Sequence, residues 1–154
     1  MEKLKFGVIG CGSFSDKHLG AMQRIDEIEV VAVCDNVVDL AKKQAEKYNV
    51  PSYYADYNEL LAREDIIAVT LPLPDQVHRE IAVAALKAGK HVFCEKPITV
   101  NYELSKKMAA EAEKQGKILN IGPIQSVQFS SVAQSCTTLC DPMNRSTPGL
   151  PVHH

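Results

Sequence analysis

The sequence predicts a doubly wound α/β fold, in which a parallel β-sheet is covered by helices on both faces. Two observations support this prediction. Apolar runs recur along the chain with helical patterns in most of the intervals between them, and this alternation is typical of a parallel sheet. The first run also leads directly into a Gly-x-Gly turn. The predicted strands are Phe6–Ile9, Val30–Cys34, Ile66–Leu71, Val92–Cys94 and Ile118–Ile121.

Helix signals separate these runs. One helical segment covers residues 37–48 and is closed by Asn49, and a short helix is capped near Asp56. A third helix begins at Asp75 and ends at Gly89, and the last runs from Asn101, its cap, through Gln115 to the stop at Gly116. The apolar stripe predicted for the third helix consists of Val77, Ile81, Ala84, Ala85 and Ala88.

Length and charge exclude several classes of function. The chain has 154 residues, the size of one domain, and a net charge of −2. This balance gives no electrostatic reason to expect nucleic acid or an anionic membrane as a partner. No apolar run approaches the ~18 residues that a membrane span needs. Five cysteines without the spacing of a disulfide scaffold favour reduced thiols and a cytoplasmic location.

Three of the cysteines stand where predicted strands end, so they could meet at one edge of the sheet. They are Cys11, Cys34 and Cys94. A metal site is one interpretation of this placement. We favour the other, in which buried thiols serve as small apolar side chains and no metal is bound.

The Gly-x-Gly turn is typical of a dinucleotide site. Gly10 permits a tight turn out of the first strand, and Gly12 lets the backbone approach a pyrophosphate closely. The helix that follows directs N–H groups and its positive dipole end toward the phosphates. Ser15 occupies the third glycine position of this fingerprint, and as a small residue it still allows the helix to pack closely.

An acidic residue completes this pattern and indicates the cofactor. Asp35 lies 23 residues after Gly12, at the end of the second apolar run. A carboxylate at this offset accepts hydrogen bonds from the adenine ribose hydroxyls and repels a 2′-phosphate. We therefore expect NAD as the cofactor, with NADP disfavoured.

The composition of the chain changes after Gly122. Residues 123–154 contain two charged side chains, Asp141 and Arg145, and are rich in Ser, Thr, Gln and Pro. We expect disorder or weak local structure there. Possible metal ligands in this tail are Cys136, Cys140, His153 and His154. Because the two histidines are adjacent, we expect no metal site.

A second motif follows the strand that ends at Cys94. Glu95, Lys96 and Pro97 place an acid, an amine and a rigid residue at the carboxyl end of a strand, the edge where ligands bind in open parallel sheets. Five segments then carry a resemblance: Gly10-Cys-Gly12, Val33-Cys-Asp35, Leu71-Pro-Leu-Pro-Asp-Gln-Val-His78, Ala88-Gly-Lys-His-Val-Phe-Cys-Glu-Lys-Pro97 and Leu119-Asn-Ile-Gly122. Together they resemble the N-terminal domain of the Gfo/Idh/MocA family, which includes glucose-fructose oxidoreductase and inositol dehydrogenase. The resemblance covers residues 4–122.

This resemblance implies a Rossmann domain over residues 1–122 and assigns its site residues. The phosphate-binding turn would be Gly10, Gly12, Ser13 and Phe14. Asp35 would hold the ribose. The loop and helix start beside the nicotinamide would contribute Leu71, Pro72 and His78. The reaction centre would contain Glu95, Lys96 and Pro97, with the Lys96 ammonium orienting the substrate and assisting proton movement while Glu95 positions it.

The family also has a second, substrate-binding domain, and residues 123–154 do not resemble it. Residues 126–154 instead resemble translated interspersed-repeat sequence. The implied activity is hydride transfer between a nicotinamide cofactor and a sugar, polyol or similar secondary alcohol. We expect this chain alone to bind cofactor without turnover, because half of the cleft is missing. The surface that the second domain would cover could support oligomers. The alternative is a non-catalytic nucleotide-binding or interaction module.

Overall fold

The computed structural model of the chain describes residues 2–73, 75–94 and 102–121. Strands and helices alternate throughout these residues. The strands are β1 (Leu4–Ile9), β2 (Ile28–Cys34), β3 (Ser52–Tyr54), β4 (Ala68–Leu71), β5 (His91–Cys94) and β6 (Leu119–Ile121). The helices are α1 (Ser15–Met22), α2 (Val38–Lys47), α3 (Tyr57–Leu61), α4 (Asp75–Lys87) and α5 (Tyr102–Gln115).

The described strands form one sheet in the order β3-β2-β1-β4-β5-β6, and every neighbouring pair is parallel. The chain moves outward from β1 to β3 and then returns to place β4 on the other side of β1. Because parallel crossovers are right-handed, this reversal puts the later helices on the opposite face. The doubly wound prediction is confirmed, and the reversal creates a crevice between the carboxyl ends of β1 and β4.

Two apolar layers, one on each face of the sheet, form the core. Alternate residues along a strand point to opposite faces, so the layers divide the strands between them. On one face Phe6 and Phe93 pack with Leu19 of α1 and Ala41 of α2. The layer on the other face joins α3, α4 and α5 through Leu60, Leu61, Ile81, Ala82, Ala85, Leu86, Met108 and Ala112.

The strand prediction missed β3. Ser52–Tyr54 has only three residues and no apolar alternation, and it is a strand because it pairs with Ala32 to Cys34 of β2. The other predicted strands are present with ends that differ by up to two residues, as strand and helix boundaries commonly do. Asp56 caps α3 as predicted, because its carboxylate accepts a hydrogen bond from the Asn58 N–H at 2.8 Å.

The predicted apolar stripe of α4 was wrong at its two ends. Val77 and Ala88 are exposed; Val77 lies in the first turn of α4, and Ala88 follows its last residue. The buried side chains of α4 are Ile81, Ala82, Ala85 and Leu86.

Left-handed residues end three of the helices. Asn49, Gly89 and Gly116 have φ values of 54°, 80° and 64°. In each case the next N–H bonds back to a carbonyl in the last turn: Val50 to Ala45, Lys90 to Ala85 and Lys117 to Ala112, at 2.9 to 3.0 Å. These are Schellman-type ends, which satisfy carbonyls that the helix leaves unpaired.

Two buried polar side chains lie at the start of β5: Lys90 directly precedes the strand, and His91 is its first residue. Lys90 is 5% exposed, and its ammonium donates to the carbonyls of Arg63 and Ile66, which fastens α3 and the start of β4 to β5. Burial lowers the pKa of Lys90. Nδ1 of the fully buried His91 accepts a hydrogen bond from the Ile118 N–H at 3.0 Å. Burial, with a smaller contribution from nearby Lys117, lowers the pKa of His91 to about 4.

Replacing Asn49 tests the left-handed helix end. Asn49→Ala is expected to lower the free energy of unfolding by about 1 kcal/mol, because alanine lacks the short polar side chain that lets asparagine adopt positive φ. Asn49→Gly should not lower it. Urea unfolding measures both, with Glu46→Ala on the exposed face of α2 as a control. Equal destabilisation by Ala and Gly would contradict the backbone explanation.

The buried His91 predicts loss of stability in mild acid. Between its folded pKa of about 4 and its ordinary 6.5, the unfolded chain binds a proton that the native protein does not, so stability rises with pH across this window. From pH 7 to pH 5 the His91 contribution should cost about 2 kcal/mol. His91→Asn, which keeps an acceptor for Ile118, should show a correspondingly smaller pH dependence in urea unfolding. Parallel curves for the two proteins would refute this prediction.

Candidate functional site

The turn after β1 requires glycine at Gly10. Its φ is +114°, and a Cβ at this position would lie 2.7 Å from Leu73 Cδ2 and 2.9 Å from the Pro72 carbonyl. Both contacts are shorter than real Cβ contacts. The absence of a side chain therefore lets the loop after β1 lie directly against the loop after β4, at the crevice that the strand order creates.

Gly12 differs, because no described atom lies within 4 Å of the place where its Cβ would be. Gly12, Ser13 and Phe14 are all exposed, and Phe14 presents 57% of its surface. Packing within the described residues thus gives no reason for glycine at this position. A side chain here would instead occupy the space in front of the turn, so Gly12 keeps the backbone accessible to a ligand.

A cavity of about 210 Å³ opens beside this turn, between α1 and α2. Its lining combines the exposed backbone of the turn with charged side chains of both helices. The lining residues are Cys11, Gly12, Ser13, Asp16, Leu40, Lys43, Gln44 and Lys47.

The carboxylate of Asp35 joins the end of β2 to the turn after β1. Its Oδ2 accepts a hydrogen bond from the Cys11 N–H at 2.9 Å, and its Oδ1 accepts one from the Val37 N–H at 2.9 Å. Each carboxylate oxygen can accept a further hydrogen bond. The side chain is therefore held in place at the mouth of the turn and keeps acceptor capacity for a ligand.

Ser15 is fully buried at the start of α1, as expected of a small residue at the third glycine position. Its hydroxyl lies 2.6 Å from the Gly12 carbonyl, and Nε2 of Gln44 lies 2.7 Å from the same hydroxyl. Gln44 is not among the site residues predicted from the sequence. A signal was present, because Gln44 is a polar residue on the face of α2 that also carries the buried Ala41 and Ala45.

A second acid, Asp16, follows the turn and is neutralised locally. It accepts hydrogen bonds from the Lys47 ammonium at 2.8 Å and the Tyr48 hydroxyl at 2.7 Å. The bond from Lys47, then those from Tyr48 and Gln44, lower the pKa of Asp16 to about 2. The Lys47 pairing offsets a negative charge that would otherwise oppose an anion at the start of α1.

Of the remaining predicted site residues, Leu71 and Pro72 lie at the same edge of the sheet. Leu71 ends β4 with its side chain fully buried in the second apolar layer, and Pro72 follows it and is buried. His78 lies in α4, and its side chain lies outside the described part of the structure. The described part of β5 ends at Cys94, so Glu95, Lys96 and Pro97 lie outside it, as do residues 122–154.

Exposed large apolar side chains in the described ranges gather around this edge. Phe14 follows β1, Val37 and Val38 follow β2, and Leu40 and Val77 occupy the first turns of α2 and α4. Tyr53 of the edge strand β3 is also exposed. The carboxyl edge therefore offers apolar surface beside the polar turn, a combination typical of small-molecule sites.

The three cysteines near this edge are buried and free. Burial raises the pKa of Cys11, Cys34 and Cys94 to about 12 in each case, so their thiols are protonated at neutral pH. The Cys11 thiol donates to the Cys34 carbonyl at 3.4 Å. Within residues 2–73, 75–94 and 102–121, no group of three or more His, Cys, Asp or Glu side chains is placed to hold a metal ion.

A larger cavity, of about 310 Å³, lies at the opposite, amino edge of the sheet between the starts of β4 and β5. Lys90, His91 and Lys117 contribute to its lining. Its size does not make it the better candidate, because the Lys90 ammonium is held by backbone carbonyls and His91 by Ile118.

Among the described helices, none is long and apolar enough to cross a lipid bilayer.

Comparison with known proteins identifies relatives over the same residues. The model of an oxidoreductase family with an NAD-binding Rossmann fold matches residues 4–122. Inositol 2-dehydrogenase of Salmonella typhimurium is 36% identical over 116 residues, which cover 74% of this chain and 34% of that protein.

Two solved structures show the same likeness in three dimensions. The WlbA dehydrogenase of Chromobacterium violaceum, solved with NADH and UDP-GlcNAcA, is 30% identical with a TM-score of 0.74, over 79% of this chain and 35% of that one. A 3-ketoreductase of Actinomadura kijaniata, solved with NADP and TDP-benzene, is 31% identical with a TM-score of 0.75, over 87% and 43%.

The matches share one pattern of coverage. This chain spans about a third of the length of the curated relatives, from 31% to 38%. The matched part contains the whole described sheet and the glycine turn. The chain belongs to the Gfo/Idh/MocA oxidoreductase family, and residues 4–122 are its NAD-binding domain with the Rossmann fold.

Proposed function

We propose that this chain binds NAD at the carboxyl edge of its sheet and supplies the cofactor half of an enzyme that oxidises a sugar, polyol or similar secondary alcohol. The observation that carries the proposal is the Asp35 carboxylate, which is held by the Cys11 and Val37 amides beside the open backbone of Gly12. A ribose acceptor and a phosphate-binding turn thus lie side by side, as a dinucleotide requires.

The residues present fit this cofactor. Gly12 and Ser13 offer accessible backbone at the start of α1, where N–H groups and the helix dipole favour phosphate. Asp35 would accept hydrogen bonds from the adenine ribose hydroxyls. Phe14, after β1, and Val37, after β2, add exposed apolar surface. NAD, when bound, supplies the hydride acceptor.

Preference for NAD over NADP would follow from the charge of Asp35, which repels a 2′-phosphate. Asn36 next to it supplies no opposing cation. The relatives include a structure solved with NADH and another solved with NADP, so the preference must come from this chain's own residues.

We assign the chemistry to Lys96 with Glu95, on the family motif that also contains Pro97. The Lys96 ammonium would orient the substrate hydroxyl and assist its proton transfer, and Glu95 would position Lys96. Leu71, Pro72 and His78 would flank the nicotinamide half. The substrate class is supported by relatives named for inositol and for D-glucoside. The free cysteines of the described chain fit the reducing conditions of the cytoplasm.

Substitution of Asp35 tests the cofactor assignment. Asp35→Ala should weaken NAD binding at least about ten-fold, because it removes a charged hydrogen-bond acceptor. It should also reduce the ratio of the NAD affinity to the NADP affinity. Titration calorimetry with both dinucleotides measures these effects. Asp39→Ala, which removes an exposed charge one turn further along, is the matched control and should leave both affinities within about two-fold.

Two results would overturn this assignment. The first is absence of saturable NAD binding by the folded wild-type chain. The second is equal loss of affinity in the Asp35 and Asp39 variants, which would trace the effect to general charge and not to a ribose contact.

A polypeptide of these 154 residues is expected to bind NAD without dehydrogenase turnover. Hydride transfer needs the substrate held against the nicotinamide, and the relatives are about three times as long as the matched region. Reduced cofactor should therefore not accumulate with myo-inositol, glucosides or other polyols at cofactor concentrations that saturate binding. Repeated turnover that disappears in Lys96→Ala would contradict this expectation.

A further inference from the structure

The side chains of Ser15 and Gln44 form a series of hydrogen bonds that ends at the carbonyl of Gly12. Its oxygen accepts hydrogen bonds from both the N–H of Ser15, at 3.0 Å, and the hydroxyl of Ser15, at 2.6 Å. Nε2 of Gln44, on α2, lies 2.7 Å from that hydroxyl. Ser15 and Gln44 are both buried.

The Asp16 carboxylate shows which group donates in each hydrogen bond between Gln44, Ser15 and Gly12. Nε2 of Gln44 also lies 3.2 Å from Oδ1 of Asp16, a carboxylate that can only accept, so the Gln44 amide nitrogen faces this side. Gln44 therefore donates to the Ser15 hydroxyl. The single proton of that hydroxyl is left for the Gly12 carbonyl, and the bonds run from Gln44 through Ser15 to Gly12.

Holding the Gly12 carbonyl also fixes the N–H of Ser13. These two groups belong to one planar trans peptide, in which the carbonyl and the N–H point in opposite directions. Because the carbonyl points toward the buried Ser15, the Ser13 N–H points away from it, toward the exposed side of the turn. Ser13 is exposed there and lines the cavity between α1 and α2.

We propose that Gln44 is a positioning residue for the phosphate-binding turn, acting through Ser15 to orient the Gly12–Ser13 peptide so that the Ser13 N–H faces the pyrophosphate of the cofactor. This inference rests on the proposed function. It also gives the serine at the third glycine position a role, since glycine could not transmit the bond from Gln44.

Gln44→Met is the direct test, because methionine has a similar length and cannot donate. Binding of NAD should weaken about five-fold, the effect of one neutral hydrogen bond. Binding of adenosine, which keeps the ribose and lacks the phosphates, should change less than two-fold. The amide proton of Ser13 should shift strongly on NAD binding in the wild type and less in the variant. A merely structural role would not separate the two ligands in this way.

Gln23→Met provides a matched control. Nε2 of Gln23 donates to the Tyr48 carbonyl at 2.8 Å, so this glutamine also connects the α1 region to the α2 region, but at the end of α1 that is far from the turn. Its loss should lower stability without changing NAD affinity. Equal NAD affinities in the Gln44 and Gln23 variants would overturn the proposal.

Ser15→Gly keeps the test decisive if Gln44→Met folds poorly. It restores the third glycine but removes the hydroxyl, so it should weaken NAD binding about as much as Gln44→Met does, and the double variant should be no weaker than either. Additive losses of NAD affinity in the double variant, or full NAD affinity in Ser15→Gly, would refute this relay of hydrogen bonds from Gln44 through Ser15 to Gly12. Failure of the folded wild type to bind NAD would instead refute the proposed function, and the relay with it.

Discussion

The hydrogen bond from the Cys11 N–H to the Asp35 carboxylate joins the two loops on which the site depends. One loop follows β1 and the other follows β2, and parallel pairing of these strands alone brings their carboxyl ends together. The bond then fixes the Asp35 carboxylate, the proposed ribose acceptor, relative to the accessible backbone of Gly12. Without a fixed carboxylate, the turn would be a general anion site at a helix start, a feature that many unrelated proteins share.

Packing beneath the turn extends this control into the core. Leu19 of α1 and Ala41 and Ala45 of α2 hold the two helices against the same face of the sheet. Gln44 lies within this apolar layer, where a polar side chain is costly unless its hydrogen bonds are satisfied. Ser15 and Asp16 accept hydrogen bonds from its Nε2, so the buried amide links the core of the domain to the glycine turn.

Sequence predicted the features that depend on local signals. Gly10, Gly89 and Gly116 have backbone conformations that other residues rarely adopt. Asp35 directly follows an apolar strand, and Asp56 directly precedes a short helix that it caps. Non-local features were not predictable in this way. Strand β3 exists through pairing with β2, and the Gln44–Ser15 bond joins residues 29 positions apart.

The motif after β5 is a different case. Glu95, Lys96 and Pro97 have a family resemblance, and their side chains lie outside the described residues. Their catalytic assignment therefore rests on sequence, whereas the cofactor-binding assignment of Asp35 also rests on geometry.

The two acids beside the turn, Asp16 and Asp35, are held by different kinds of hydrogen-bond donor. Asp16 is paired with Lys47 and Tyr48, which lower its pKa and hold its charge against α2. Asp35 is held by the neutral N–H groups of Cys11 and Val37. Backbone amides donate hydrogen bonds to a carboxylate without adding a positive charge beside it, which fits the proposed role of Asp35 in accepting from ribose hydroxyls and repelling a 2′-phosphate.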